Sequence, residues 1–152
     1  MDDRWGPTIH ASAVLVGARA VLIRGPAGSG KSRLALRLLE AAQTGLLRFV
    51  RLVGDDRVHV HAMHGRLLVR PADRLAGLIE VRGLGIRRLP FEPVAVVGRL
   101  IDLAAGDAER VPQTGSTTVT VAGVVLPRLA VAPIADPPPL VWAWLMAPAA
   151  HP

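Results

Sequence analysis

The 152-residue chain has no cysteine and no tyrosine, only two phenylalanines and three tryptophans, and a single lysine among eighteen basic residues. Without cysteine, neither a disulfide nor a thiolate metal site can support the fold, in keeping with a reducing compartment. With so few aromatics the core must be aliphatic. Hydrophobic residues make up 51% of the chain, enough at this length to bury a core as one domain over residues 1–152. Long apolar runs are missing too: "LVWAWLMAPAA" is too short to cross a bilayer. The opening "MDDRWGPTIH" is acidic and polar, unlike a secretory leader. These features point to a cytoplasmic protein without a membrane partner. The formal charge is +6, yet the arginines stand singly or in pairs, with no basic tail and no aromatic-interleaved patch. That pattern reads as a basic surface rather than a nucleic-acid binder.

Hydrophobic patterning predicts an α/β domain with much antiparallel strand. "SAVLVGARAVLIRG" reads as two short strands, residues 13–16 and 20–23, around a turn at Gly17. A helix of about twelve residues is predicted from Lys31, with Leu34, Ala35, Leu38, Leu39 and Ala42 on one face and Gly45 as its stop. Further strands are expected over residues 49–53, 58–62 and 66–70, the last two joined through His64-Gly65. "GLIEVRGLGI", "PVAVVGRLIDL" and "TTVTVAGVVLPRLAV" add more. Asp136 before three prolines suits the start of a short closing helix.

The lone lysine lies in "GPAGSGKS", formed by Gly25, Pro26, Ala27, Gly28, Ser29, Gly30, Lys31 and Ser32. This is a complete G-x-x-x-x-G-K-[ST] phosphate loop, with a strand before it and an amphipathic helix after it. Gly25, Gly28 and Gly30 let the backbone turn tightly and aim N–H groups at phosphate oxygens, and the positive helix end adds to that field. Lys31 supplies a compact charge on a flexible stem, which the planar arginine fork does not mimic. Ser32 offers a hydroxyl to Mg²⁺, so ATP with Mg²⁺ is the expected ligand. A carboxylate is needed on the metal side, and "RLVGDD" offers Asp55 and Asp56 after an apolar strand. On a strand, one of the two would face the γ-phosphate and the other turn away.

"IHASAVLVGARAVLIRGPAGSGKSRLALRLLE", "RLVGDDRV" and "LIEVRGLGI" together resemble the catalytic domain of the HPr kinase/phosphorylases. These bacterial enzymes phosphorylate a serine of the phosphocarrier protein HPr. The resemblance spans roughly residues 8–92 and is to a short form without the N-terminal domain of longer members. It implies a P-loop fold with a mixed, largely antiparallel sheet and a phosphate-loop helix, a homo-oligomer, and HPr as partner. By the same resemblance, Asp55 matches the catalytic aspartate that takes the serine proton, with Asp56 in support. Glu80 stands with Ser32 on the Mg²⁺ side, and His10 is near the active site. Arg82 and Gly83 belong to a signature tied to the reverse, phosphate-using reaction.

Two further features depart from the family pattern. Ala11 follows His10 where glycine is usual, and the late basic loop V-P-V-R-P-G-R-N has no counterpart. In its place stands "LAVAPIADPPPLVWAWLMAPA", without an arginine after Arg128, which argues against the reverse phosphorolysis. The alternatives are a related P-loop kinase acting on another hydroxyl, or a nucleotide-binding sensor that has lost catalysis. His59, His61 and His64 form H-x-H-x-x-H without a carboxylate or thiolate in register, so solvent-facing histidines on a hairpin are the expectation. Trp142 and Trp144 should lie on different faces of the closing helix, at least one of them packed.

Overall fold

The computed structural model describes residues 5–133 and 135–147. Its strands are β1 Ile9–Val16, β2 Arg19–Arg24, β3 Val50–Gly54, β4 Arg57–Met63 and β5 Arg66–Pro71. After these come β6 Leu78–Val81, β7 Gly85–Arg88, β8 Ala95–Asp102, β9 Thr118–Val121 and β10 Val124–Ala130. The helices are α1 Lys31–Gln43 and α2 Pro137–Met146.

Eight strands form one mixed sheet, in which β2–β8 and β8–β10 are parallel and the remaining pairs antiparallel. Because β2 pairs both β1 and β8, the ring β2-β1-β4-β5-β8 closes on itself. Strand alternation then sorts side chains into two cores. Ala20 and Leu22 join Ala11, Ala13, Leu67, Val69 and Leu100 inside the ring, where the small alanines suit a narrow interior. Val21 and Ile23 face outward, with Val14 and Ile101, against Leu34 and Leu38 of α1 and Val141 of α2.

Strands β3 and β4 are one line of chain laid along β1. Ala13 opposes Gly54, and His10 opposes Arg57 in the same register. Asp55 and Asp56 therefore interrupt this line opposite Ser12 and Ala11, and Ala11 still donates its N–H to the Asp56 carbonyl. They are not strand residues, contrary to expectation. Asp56 takes a positive φ of 68°, and this backbone twist separates the two carboxylates.

Helix α1 buries Leu34, Ala35, Leu38 and Ala41. Ala41 rather than the expected Ala42 closes the stripe, since it lies two turns beyond Leu34. At α2, Asp136 occupies the N-cap position but makes no capping hydrogen bond. The N2 and N3 positions are prolines, which have no N–H to offer it. Trp142 and Trp144 are both half-buried against the α1-side core, and Arg99 lies over the Trp144 ring while donating to its carbonyl. No described helix is long and apolar enough to cross a membrane.

Candidate functional site

The C-terminal ends of the parallel strands β2, β8 and β10 open on one side of the sheet. Each feeds a wall of the same cleft: β2 the phosphate loop, β8 Leu103 and Ala104, β10 Val131, Ala132 and Pro133. Clefts at such strand ends are where α/β folds bind ligands. This one has a volume of about 1000 Å³ and is also lined by Asp56, Glu80 and Arg82.

Gly28 and Gly30 adopt φ of 78° and 97°, which L side chains rarely accept. Gly25 is held by space instead: a Cβ there would lie 2.5 Å from Ser29 Oγ and 3.1 Å from Leu103 Cβ. The Lys31 ammonium folds back over the loop, donating to the carbonyls of Gly25 at 2.9 Å and Pro26 at 3.3 Å. Lys31 is only 6% exposed and has no carboxylate partner among the described residues. A nearly buried ammonium with two of three N–H groups on carbonyls leaves a positive charge that an anion would complement.

Asp55 is the polar centre below the loop and is 5% exposed. Its carboxylate accepts from the Ser32 hydroxyl, with 2.7 and 2.8 Å to its two oxygens, from Ser12 Oγ at 2.7 Å, and from the Glu80 N–H at 3.2 Å. Ser12 is fully buried and also accepts from the Asp56 N–H at 3.2 Å. Ser12 was not singled out in the sequence; its one signal is a hydroxyl amid the apolar alternation of "IHASAVLV".

Asp56 stands in the open, its side chain 56% exposed and 3.6 Å from His10 Nδ1. Arg57 lies 3.0 Å from His10 Nε2. A guanidinium can only donate, so Nε2 accepts and the ring proton sits on Nδ1, facing Asp56. Glu80, exposed, lines the cleft from β6, tied to Asp55 through its backbone. Arg82 lines it from the β6–β7 turn.

A further group unread in the sequence lies beneath the loop. Asp102, at the end of β8, accepts from Arg24 Nε at 2.8 Å and from Arg128 Nε at 2.6 Å. Arg128 also forks onto both oxygens of Asp107 at 2.8 and 2.9 Å. Burial alone would push the Asp102 carboxyl up. The hydrogen bonds and charges of Arg24 and Arg128 outweigh it and hold that carboxyl below its ordinary value. Hydrogen bonding to Asp107, and then to Asp102, raises Arg128 above the usual guanidinium value. The network fastens the ends of the three parallel strands directly before the phosphate loop.

The three histidines do not converge. His59 Nδ1 meets the Gly6 carbonyl at 2.8 Å, His61 packs on the Trp5 ring, and His64 sits in the β4–β5 turn. Among the described residues no group of three or more His, Asp or Glu could hold a metal by itself.

A family model described as HPr Serine kinase C-terminal domain matches residues 6–89. The HPr kinase/phosphorylase of Streptococcus thermophilus is 41% identical over 80 residues, covering 52% of this chain and 24% of that protein. The HPr kinase/phosphorylase of Limosilactobacillus reuteri is 30% identical over 143 residues, 85% of this chain and 42% of its own length. The chain thus spans less than half of each of these relatives. The solved structure of the Hpr(Ser) kinase/phosphatase from Coxiella burnetii superposes with a TM-score of 0.71 at 25% identity, over 91% of this chain and 93% of the other.

Proposed function

The chain belongs to the HPr serine kinase C-terminal domain family, and from that footing we propose that it transfers the γ-phosphate of ATP to a serine hydroxyl of HPr. One observation carries the reading. A phosphate loop whose Ser32 is bonded to a buried carboxylate, Asp55, faces a second, exposed carboxylate, Asp56, across the mouth of one cleft. Phosphoryl transfer asks for charge neutralisation, in-line positioning and a group to receive the hydroxyl proton, and the two aspartates divide these tasks.

The resemblance assigned the proton to Asp55, but the geometry favours exchanging the roles. Asp55 already accepts from two hydroxyls and a backbone N–H and is almost closed to an incoming acceptor. Asp56 is open and lines the cleft, with His10 Nδ1 3.6 Å from its carboxylate. In this reading Asp56 takes the serine proton, Lys31 holds the β- and γ-phosphates, and Asp55 fixes Ser32.

The oxygen donors suit Mg²⁺. Ser32 and Asp55 form an all-oxygen pair, and the absence of a three-ligand protein cluster among the described residues matches a cation that keeps water and phosphate oxygens as ligands. Ser32, Asp55 and Glu80 would hold it. When bound, Mg²⁺ neutralises charge on the phosphate oxygens.

The wall where an arginine-rich loop would be expected carries Val131, Ala132, Pro133, Ala135 and Asp136. With no cation among the described residues of that wall to hold a free phosphate beside a phosphoserine, the reverse phosphorolysis is not part of the proposed activity. Labelled ATP offered with purified HPr and, separately, with small hydroxyl acceptors tests the reading. Label on a serine of HPr supports it. Label only on a small acceptor replaces HPr with another substrate, and nucleotide binding without transfer replaces the kinase with a sensor.

A further inference from the structure

The phosphate loop stands at the middle of its cleft and divides it into two arms. Strand β2 pairs with β1 on one side and with β8 on the other, while β3 lies beyond β1 and β10 beyond β8. The order across this part of the sheet is therefore β3-β1-β2-β8-β10, with the loop rising from its centre. Asp55 and Asp56 follow β3, so the acceptor hydroxyl belongs to the arm on that side. The other arm lies over the ends of β8 and β10 and the start of α2. A nucleotide held by the loop with its γ-phosphate toward Asp56 carries its nucleoside the opposite way, into this second arm.

The second arm is built to take a flat ring. Val131 donates its N–H to the Asp102 carbonyl at 2.9 Å and accepts from the Ala105 N–H at 2.8 Å, so the wall is tied in place by the backbone. Leu103 and Val131 are almost fully buried in it. Ala132, Pro133 and Pro137 give it a surface of short, stiff, apolar side chains. With a volume of about 1000 Å³, the cleft reaches the upper end of small-molecule sites and has room for a whole nucleotide.

One side chain of this wall can form a directional bond, and it is Asp136. Its carboxylate makes no capping hydrogen bond to α2 and has no cationic partner among the described residues. A carboxylate only accepts. It therefore favours a ring edge that donates and disfavours one that offers acceptors alone.

Resting on the reading of the cleft as a nucleoside triphosphate site, we propose that the second arm is the base subsite. Asp136 sets its specificity by accepting from the exocyclic amine of an amino-substituted base such as adenine. Asp136 lies outside the residues 6–89 that carry the family match, and its role follows from this chain's own wall.

The test measures Kd for ATP, for purine riboside triphosphate, which lacks only the amine, and for inorganic tripolyphosphate. The full chain is compared with Asp136→Ala and Asp136→Asn. The parent should bind ATP about tenfold more tightly than the deaminated nucleotide, the effect of one hydrogen bond to a charged group. Asp136→Ala should bind the two nucleotides alike, with its tripolyphosphate Kd unchanged. Asp136→Asn should keep part of the preference, because its amide carbonyl also accepts. Unfolding midpoints should agree, since Asp136 is exposed and makes no capping bond. A parent that binds both nucleotides equally, or a preference that survives in Asp136→Ala, overturns the proposal and leaves the nucleotide site intact. A parent that binds neither ATP nor tripolyphosphate overturns both.

Discussion

The Ser32 hydroxyl lies 2.7 and 2.8 Å from the two carboxylate oxygens of Asp55. This contact joins the phosphate loop to the interruption between β3 and β4 and gives Asp55 a task distinct from that of its neighbour. Asp55→Asn should weaken Mg²⁺-dependent nucleotide binding by about 10- to 100-fold, the usual effect of disturbing a group that orients a metal ligand. Nucleotide titrations with and without Mg²⁺ check it. An equal loss in both titrations would mean that Asp55 supports the loop alone.

Ser12 serves both sides of that interruption, donating to Asp55 and accepting from the Asp56 N–H. Ser12→Ala leaves a buried carboxylate short of a donor and strands an N–H. The expected cost is about 1–3 kcal/mol in denaturant unfolding. Transfer should fall as well, since Asp56 loses its backbone tether.

Gly25→Ala tests the loop by space rather than by charge. The new Cβ would fall on Ser29 Oγ and against Leu103, so the loop must shift. Overpacking of this kind costs about 1–3 kcal/mol, enough to weaken nucleotide binding about tenfold. Gly25→Ala/Ser29→Ala should recover part of the loss, because Ser29 Oγ is buried without a hydrogen-bond partner and its removal frees the clash.

Arg128 carries a pH signature. With the folded Asp102 carboxyl held below its ordinary value of 3.8, the unfolded chain binds more protons between the two values. Stability is therefore present above about pH 4 and lost as pH falls through the folded value. Arg128→Leu should cost about 2 kcal/mol at neutral pH. Below pH 4 the gap to the parent should narrow, as measured by urea unfolding across pH.

The parts legible in the sequence are those whose chemistry is local. "GPAGSGKS" is contiguous, and the strand before it and the helix after it follow from simple periodicity. Asp55, Asp56, Glu80 and Arg82 could be gathered because each sits in a short motif. Which aspartate points where could not be read, since it depends on the φ of 68° at Asp56 and on the register that sets Ser12 opposite Asp55. Ring closure was equally hidden: β2 and β8 meet through residues such as Arg24 and Asp102, 78 positions apart, and no local pattern encodes that pairing. The same distance concealed the network around Arg128, which in the sequence is only the last arginine.

Serine phosphorylation with Asp56 receiving the proton is open to direct measurement. The most direct measurement is phosphoserine formed on HPr under Mg²⁺-ATP by the parent chain and by Asp56→Asn, side by side with nucleotide Kd. Phosphoserine is expected with the parent, with a loss of about 10²- to 10⁴-fold in the variant and a Kd unchanged between them. No phosphoserine from the parent, or a variant as active as the parent, would contradict it.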